Sequence, residues 1–204
     1  MAGLDFALAG TLTTQSMCSA IDLSRNTIDG NQVLWLNALN SSQSISNIQI
    51  GAAEICDADN INLDTISFIG SQFNTDRNTM EFIQANNITV QNVQAQNVYS
   101  MFRILSANNS RFANSISTGG VIGAINANGG SSNFNTIDTI DISNYHQYAG
   151  ISIGGIGNNI TNIYVHDANS TGSAIGFGAA TTTINNSYTQ IHISNTSKGV
   201  YMLS

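Results

Sequence analysis

Glu54 and Glu81 are the only glutamates in the chain, and each sits inside a short apolar run, Ala53-Glu-Ile55 and Met80-Glu-Phe82. In an extended strand neighbouring side chains point to opposite faces. With Leu34/Leu36, Ala53/Ile55, Met80/Phe82 and Phe102/Ile104 inward, Trp35, Glu54, Glu81 and Arg103 form one outward column. Stacked strands lie ~4.8 Å apart, which sets the two carboxyls at the separation of a retaining glycosidase pair. Close carboxylates repel, so one of them is expected to hold its proton to higher pH. Trp35 offers a ring on which a sugar can stack. The plainer reading is an exposed Glu81–Arg103 ion pair of small energetic value, with Trp35 covering the first coil.

A second column is expected from Gln94, Ser117, Asp141, Tyr164 and His192, with His166 two residues beyond Tyr164. Asp, Tyr and His on successive strands can bind a polar ligand or move protons; the plainer reading is a row of ordinary surface residues. Asp57-Ala-Asp59-Asn60-Ile-Asn62-Leu-Asp64 carries oxygen ligands at spacings that suit calcium. Ile61 and Leu63 read as core positions, however, so an Asx-rich turn without metal is favoured. No metal and no cofactor is expected. Cys18 and Cys56 fall roughly two coils apart, too far for an easy disulfide, and are expected as two small buried thiols. His146 lies on a loop beside Tyr145 and Tyr148 and receives no role.

The elements that position these side chains come from a repeat. Ile45–Ile50, Ile61–Phe68, Ile88–Ala95, Phe112–Ile116, Ile137–Ile142, Ile160–Val165 and Tyr188–Ile193 are alternating apolar segments. Ile48, Ile66, Val93, Ile116, Ile140, Ile163 and Ile191 are taken as equivalent and inward, at spacings of 18 to 28 residues. A second strand follows each first one, often opened by glycine, as at Gly120-Val-Ile122, Gly150–Ile153, Ala174–Phe177 and Gly199–Met202. Two period-2 strands per unit, with units recurring about every two dozen residues, describe a solenoid. Asn, Gly and β-branched residues stand where a helix needs good helix formers, and Asn-Gly hairpin turns are nearly absent between strands. Asn47, Asn87, Asn109, Asn159 and Asn186 suit stacked turns that tolerate left-handed backbone. The fold class expected is all-β: a right-handed parallel β-helix of about eight coils over residues 21–204, entered through a cap or irregular strand at 1–20.

Composition narrows the partners. Only 8% of residues are charged and the net charge is −7, with five basic residues. A phosphate backbone would find little counter-charge, so nucleic acid is not expected, nor is an anionic membrane surface. No apolar run approaches the ~20 residues of a membrane span. The polar surface is built instead from Ser, Thr, Gln and 28 Asn. Proline is absent, as suits strands paired on both edges. The N-terminus has neither a basic region nor a cleavage site. Gly199-Val-Tyr-Met-Leu-Ser204 reads as a core strand without a cap, which predicts that the natural protein continues, or self-association through an open last coil.

The segments Asn87-Ile-Thr-Val90, Asn158-Asn-Ile-Thr-Asn-Ile163 leading to Gly172-Ser-Ala-Ile175, and Ile21-Asp-Leu-Ser-Arg-Asn-Thr-Ile-Asp-Gly30 resemble coils of the pectate-lyase-like superfamily of right-handed β-helices. The resemblance covers nearly the whole chain at the level of fold, and it implies polysaccharide lyases, polygalacturonase-type hydrolases, tailspikes and adhesins. Asn74-Thr75-Asp76 matches the polygalacturonase Asn-Thr-Asp motif and Arg103-Ile-Leu105 weakly echoes its Arg-Ile-Lys, but the Asp-Asp pair and the Gly-His-Gly motif are missing. Inverting hydrolysis needs two placed carboxyls, and Asp76 alone supplies one. The function expected is therefore a non-catalytic domain for adhesion or glycan recognition, extracellular or at a cell or virion surface, with a polysaccharide or cell-surface glycan as partner. The alternative is a polysaccharide-degrading enzyme using Glu54 and Glu81. Ice binding is disfavoured, because no Thr-x-Thr column recurs from coil to coil.

Overall fold

A computed structural model describes residues 18, 22, 24–28, 30–70, 79–120, 125–127, 132–146, 149–168, 175–179 and 183–202. The strands begin with β1 (Thr27–Ile28), β2 (Asn31–Leu36), β3 (Ser44–Ile50), β4 (Ala52–Cys56) and β5 (Asn62–Ile69). They continue with β6 (Thr79–Ile83), β7 (Thr89–Gln96), β8 (Ser100–Leu105), β9 (Arg111–Thr118), β10 (Ile125–Ala127) and β11 (Thr136–Ser143). The last are β12 (Ala149–Ile153), β13 (Asn159–His166), β14 (Ile175–Ala179), β15 (Ser187–Ile193) and β16 (Lys198–Met202). Even-numbered strands stack into one sheet and odd-numbered strands from β3 onward into another, every neighbour parallel. The chain is a parallel β-solenoid, each coil giving one strand to each sheet. Only β1 runs antiparallel among the described strands; it lies against β2 and pairs part of that sheet's first edge.

Each strand of the odd-numbered sheet bends at one residue with left-handed backbone. Asn47, Thr65, Asn92, Asn114, Thr139, Asn162 and Gln190 occupy this position, all with φ between 49° and 57°. The bend leaves two successive side chains outside and fixes the inward positions at i, i+3 and i+5, as in Leu63, Ile66 and Phe68. A second left-handed column (Asn60, Asn87, Asn109, Asn185) turns the chain from one sheet to the other. Asparagine tolerates this conformation better than other residues with a Cβ, so the Asn-rich composition follows from the corners. Asn47, Asn87 and Asn109 are left-handed as expected; Asn159 opens β13 instead, and Asn186 bonds along the axis, accepting from the Asn158 N–H at 2.7 Å. That last bond continues an inner row in which Ser110 N–H donates to Asn135 Oδ1 and Asn135 N–H to Asn158 Oδ1. Buried corner amides are thereby satisfied from the next coil.

The core is the stacked inward column of both sheets. Ile66, Val93, Ile140 and Ile163 are fully buried, while Ile48 and Ile191, nearer the ends, are partly so. Ile116 departs from expectation. It pairs with Gln94 and Asp141, faces outward and is 49% exposed. Ser115 takes the core position, because the bend at Asn114 sets the inward positions of β9 at Phe112, Ser115 and Ser117. Ser115 Oγ donates to Ala113 O and accepts the Val93 N–H, so it is buried with partners. Phe82, Phe102 and Phe112 pack edge-on or tilted at 5.0 to 6.3 Å in this core.

Glycine does serve the second strands. A Cβ at Gly150 would lie 2.5 Å from Val165 Cγ1 of the opposite sheet, so the absent side chain permits that approach. The strand expected at Gly120-Val-Ile122 falls mostly outside the described residues. Gly120 is outside any strand, 121–124 lie outside the described residues, and the coil's second strand is β10 at Ile125–Ala127.

The cysteines are corrected as well. Cys18 and Cys56 form a disulfide, with Cα atoms 5.4 Å apart. Cys18 precedes the repeats and does not follow their stacking; it packs beside β4 on the outer side of the even-numbered sheet. The cap expected at 1–20 otherwise lies outside the described residues, as does the chain beyond Met202. No helix among the described residues is long and apolar enough to cross a membrane.

Candidate functional site

The even-numbered sheet aligns Trp35 with Glu54, Glu54 with Glu81 and Glu81 with Arg103 on adjacent strands. The expected column therefore forms, but it does not stand exposed. Trp35 and Glu54 are each only 7% exposed. Their outward neighbours Val33, Ala52, Cys56 and Ile83 are apolar and join Cys18 and Ile28 in a second hydrophobic cluster. An apolar outer face of this kind needs cover from water, and the disulfide holds Cys18 against it. Burial, then the charge of Glu81, pushes the Glu54 carboxyl up to about 8, against the pull of Arg103. Arg103 Nη1 lies 3.1 Å from Glu81 Oε1. Trp35 Nε1 has no hydrogen-bond partner among the described residues. A carboxyl raised to about 8 close to a second one that pairs with an arginine is an arrangement that glycoside cleavage uses. A sugar polymer does not reach Glu54 in this arrangement.

The odd-numbered sheet presents the open surface. Its outer column runs Ser67, Gln94, Ile116, Asp141, Tyr164 and His192 on successive strands. Ser117, expected in this column, points inward and is 1% exposed. Asp141, Tyr164 and His192 occur together as expected. Tyr164 is 45% exposed, with its ring 4.6 Å from that of His166 and 6.3 Å from that of His192. His166 bridges two carboxylates, Nδ1 to Asp167 at 2.6 Å and Nε2 to Asp141 at 3.0 Å. Burial draws the His166 pKa down, and the two carboxylates outweigh it and raise it. Hydrogen bonds from Asn195 and His166 hold Asp167 below the usual carboxylate range. A depression of about 370 Å³ lies between Ile116, Asp141, Asn162 and Tyr164. Full burial of an isoleucine side chain is worth roughly 1.5–3 kcal/mol, and Ile116 forgoes about half of that at this site.

The remaining candidates do not converge. In the Asp57–Asp64 segment Ala58, Ile61 and Leu63 are buried, and Asp59 and Asp64 accept from amides of the next coil: Asn86 N–H at 2.8 Å and Asn92 Nδ2 at 2.7 Å. The Asn92 amide, with Gln91 and Thr65, holds Asp64 below its usual range. Among the described residues no group of three or more His, Cys, Asp or Glu could hold a metal ion. Asn74-Thr75-Asp76 lies outside the described residues. Tyr145 beside His146 is a core residue, its hydroxyl pushed up to about 12 by burial.

Sequence reasoning missed the outward Ile116 and the two-carboxylate clamp on His166. The inward spacing i, i+3, i+5 of the other strands was the signal for the first. The adjacency of Asp167 was the only signal for the second.

No family model matches the chain, and no curated protein matches it. Among solved structures, a candidate glycosyl hydrolase from Parabacteroides merdae aligns over 92% of this chain and 93% of its own, at 12% identity and a TM-score of 0.35. That likeness is too low to carry over a reaction or a ligand.

Proposed function

We propose that this β-solenoid is a non-catalytic recognition domain that works outside cells, on a cell or virion surface, and binds glycan through the outer face of the odd-numbered sheet. The observation that carries the reading is the Tyr164 depression: an exposed aromatic ring and an exposed isoleucine flanked by the Asp141 carboxylate and the Asn162 amide. Sugars ask for this mixture, an apolar platform for a ring face and polar groups for its hydroxyls. The Cys18–Cys56 disulfide supports an oxidising compartment. The sparse charge supports contacts that are weak singly and summed over several coils. Calorimetric titration against a panel of soluble glycans tests the reading. At least one member should bind the wild type, and Tyr164→Ala should weaken it about tenfold or more, a loss of ~1.4 kcal/mol. Binding that survives Tyr164→Ala unchanged contradicts the proposed face.

One observation favours the enzymatic alternative: the Glu54 carboxyl is raised to about 8 beside the acidic Glu81. Reducing-end release from the same panel separates the readings. The recognition reading predicts none. Turnover abolished by Glu81→Gln would replace it with a hydrolase.

A further inference from the structure

A second depression, of about 390 Å³, adjoins the Tyr164 depression and shares Ile116 with it. It is lined by Ile69, Gln94, Gln96 and Thr118, and Ile69, Gln94 and Gln96 are exposed. Together the two run from β5 to β13, four strand steps or roughly 19 Å along the solenoid axis. Ile116 on β9 and Tyr164 on β13 share one column two coils apart, and Ile69 on β5 lies two coils further but two residues, ~6.7 Å, along its strand from that column. Ile69, Ile116 and Tyr164 are 38%, 49% and 45% exposed. Polar side chains fill the coils between them, the Gln94 and Gln96 amides on β7 and the Asp141 carboxylate on β11.

We propose that the two depressions are one groove that takes an extended, uncharged β-1,4-linked polysaccharide lying along the axis. The inference rests on the glycan-recognition reading and adds the linkage, the charge class and the path. In an extended β-1,4-linked chain the same ring face recurs at every second sugar, over about the length of two coils, ~9.6 Å. The spacing of Ile116 and Tyr164 matches that recurrence, and Ile69 continues it on a path that crosses the coils obliquely. Charge sets the second condition. Among the described residues no Lys or Arg lines either depression, and the formal charge in their lining is Asp141. His166 beside the groove is bracketed by Asp141 and Asp167, and Arg111 is already paired with Asp138 at 3.6 Å. A polyuronate would meet like charge without a cation to receive its carboxylates, so an uncharged chain is favoured.

Calorimetry with cello-oligosaccharides from dimer to hexamer, α-1,4-linked gluco-oligosaccharides and oligogalacturonates tests the groove. Affinity for the β-linked series should rise at least about tenfold from dimer to hexamer, and the other two series should bind more weakly. Ile69→Ser and Ile116→Ser change exposed side chains, so both variants should keep the wild-type circular dichroism. Each should weaken the hexamer about fivefold or more while Ile69→Ser leaves the dimer unaffected. A dimer that binds as tightly as the hexamer, or an oligogalacturonate that binds best, overturns the groove and leaves glycan recognition standing. Absence of binding to every sugar in all three series, with self-association abolished by Ile116→Ser, overturns both and assigns the face to a second copy of the chain.

Discussion

Glu54 holds its proton because it is packed under an apolar cluster and faces the acidic Glu81, and the consequence is a pH-dependent stability of unusual sign. Its folded pKa of about 8 lies above the ordinary value of 4.5. Between those values the unfolded chain releases a proton that the folded chain keeps. Unfolding free energy therefore falls as pH rises from about 4.5 to about 8 and is insensitive to this group outside that window. Glu54→Gln keeps the shape without the ionisation. It is expected to remove the decline and to raise stability near pH 9 by on the order of 3–5 kcal/mol, read by urea unfolding. An unchanged pH profile in the variant would mean that Glu54 is solvated.

The Trp35–Glu54–Glu81–Arg103 register was legible from alternation alone, since β2, β4, β6 and β8 keep strict period 2 across these positions. Its burial was not. The covering partner, Cys18, lies before the repeats and has no place in their spacing.

Among the elements, the bent strand decides which side chains reach the surface. In β3, β5, β7, β11, β13 and β15 the inward positions i, i+3 and i+5 hold apolar residues, so those six were readable. In β9 the inward positions hold Ser115 and Ser117 while the isoleucine points out, and hydrophobicity led to the wrong residue. The left-handed position, Asn114, carries the information instead. Ser115 earns its buried place by accepting the Val93 N–H at 3.1 Å. Ser115→Ala leaves that donor buried without a partner and should cost about 1–3 kcal/mol. Ser115→Thr, which keeps the hydroxyl, should cost less. Thermal unfolding of the two variants checks the order, and an alanine variant as stable as wild type would show that the bond contributes nothing.

At the scale of the molecule the solenoid is a chain of nearest-neighbour contacts, so its stability is local as well as global. The Cys18–Cys56 disulfide spans 38 residues, and chain entropy values such a link at about 4 kcal/mol. Its reduction is expected to act on the first coils. Amide exchange in β2, β4 and β6 should accelerate while β11 and β13 keep their protection. Uniform acceleration along the chain would show that the coils unfold as one unit. Coil spacing made the parallel stack readable from sequence, because a similar apolar segment returns every 18 to 28 residues and many of the turns carry an Asn or Gly with left-handed backbone. The functional face was only half readable: Asp141, Tyr164 and His192 fall in one column by count, but the Ile116 that links two depressions does not.

The two faces of the solenoid make opposite predictions about where a sugar lands, and amide and side-chain chemical-shift mapping with an uncharged linear oligosaccharide decides between them. Recognition on the odd-numbered sheet predicts shifts at Ile116, Asp141, Tyr164, His166 and His192, an undegraded ligand, and an unperturbed Trp35 indole. Shifts centred on Trp35, Glu81 and Arg103, or shortening of the oligosaccharide during the titration, would contradict it and return the function to the carboxylate pair.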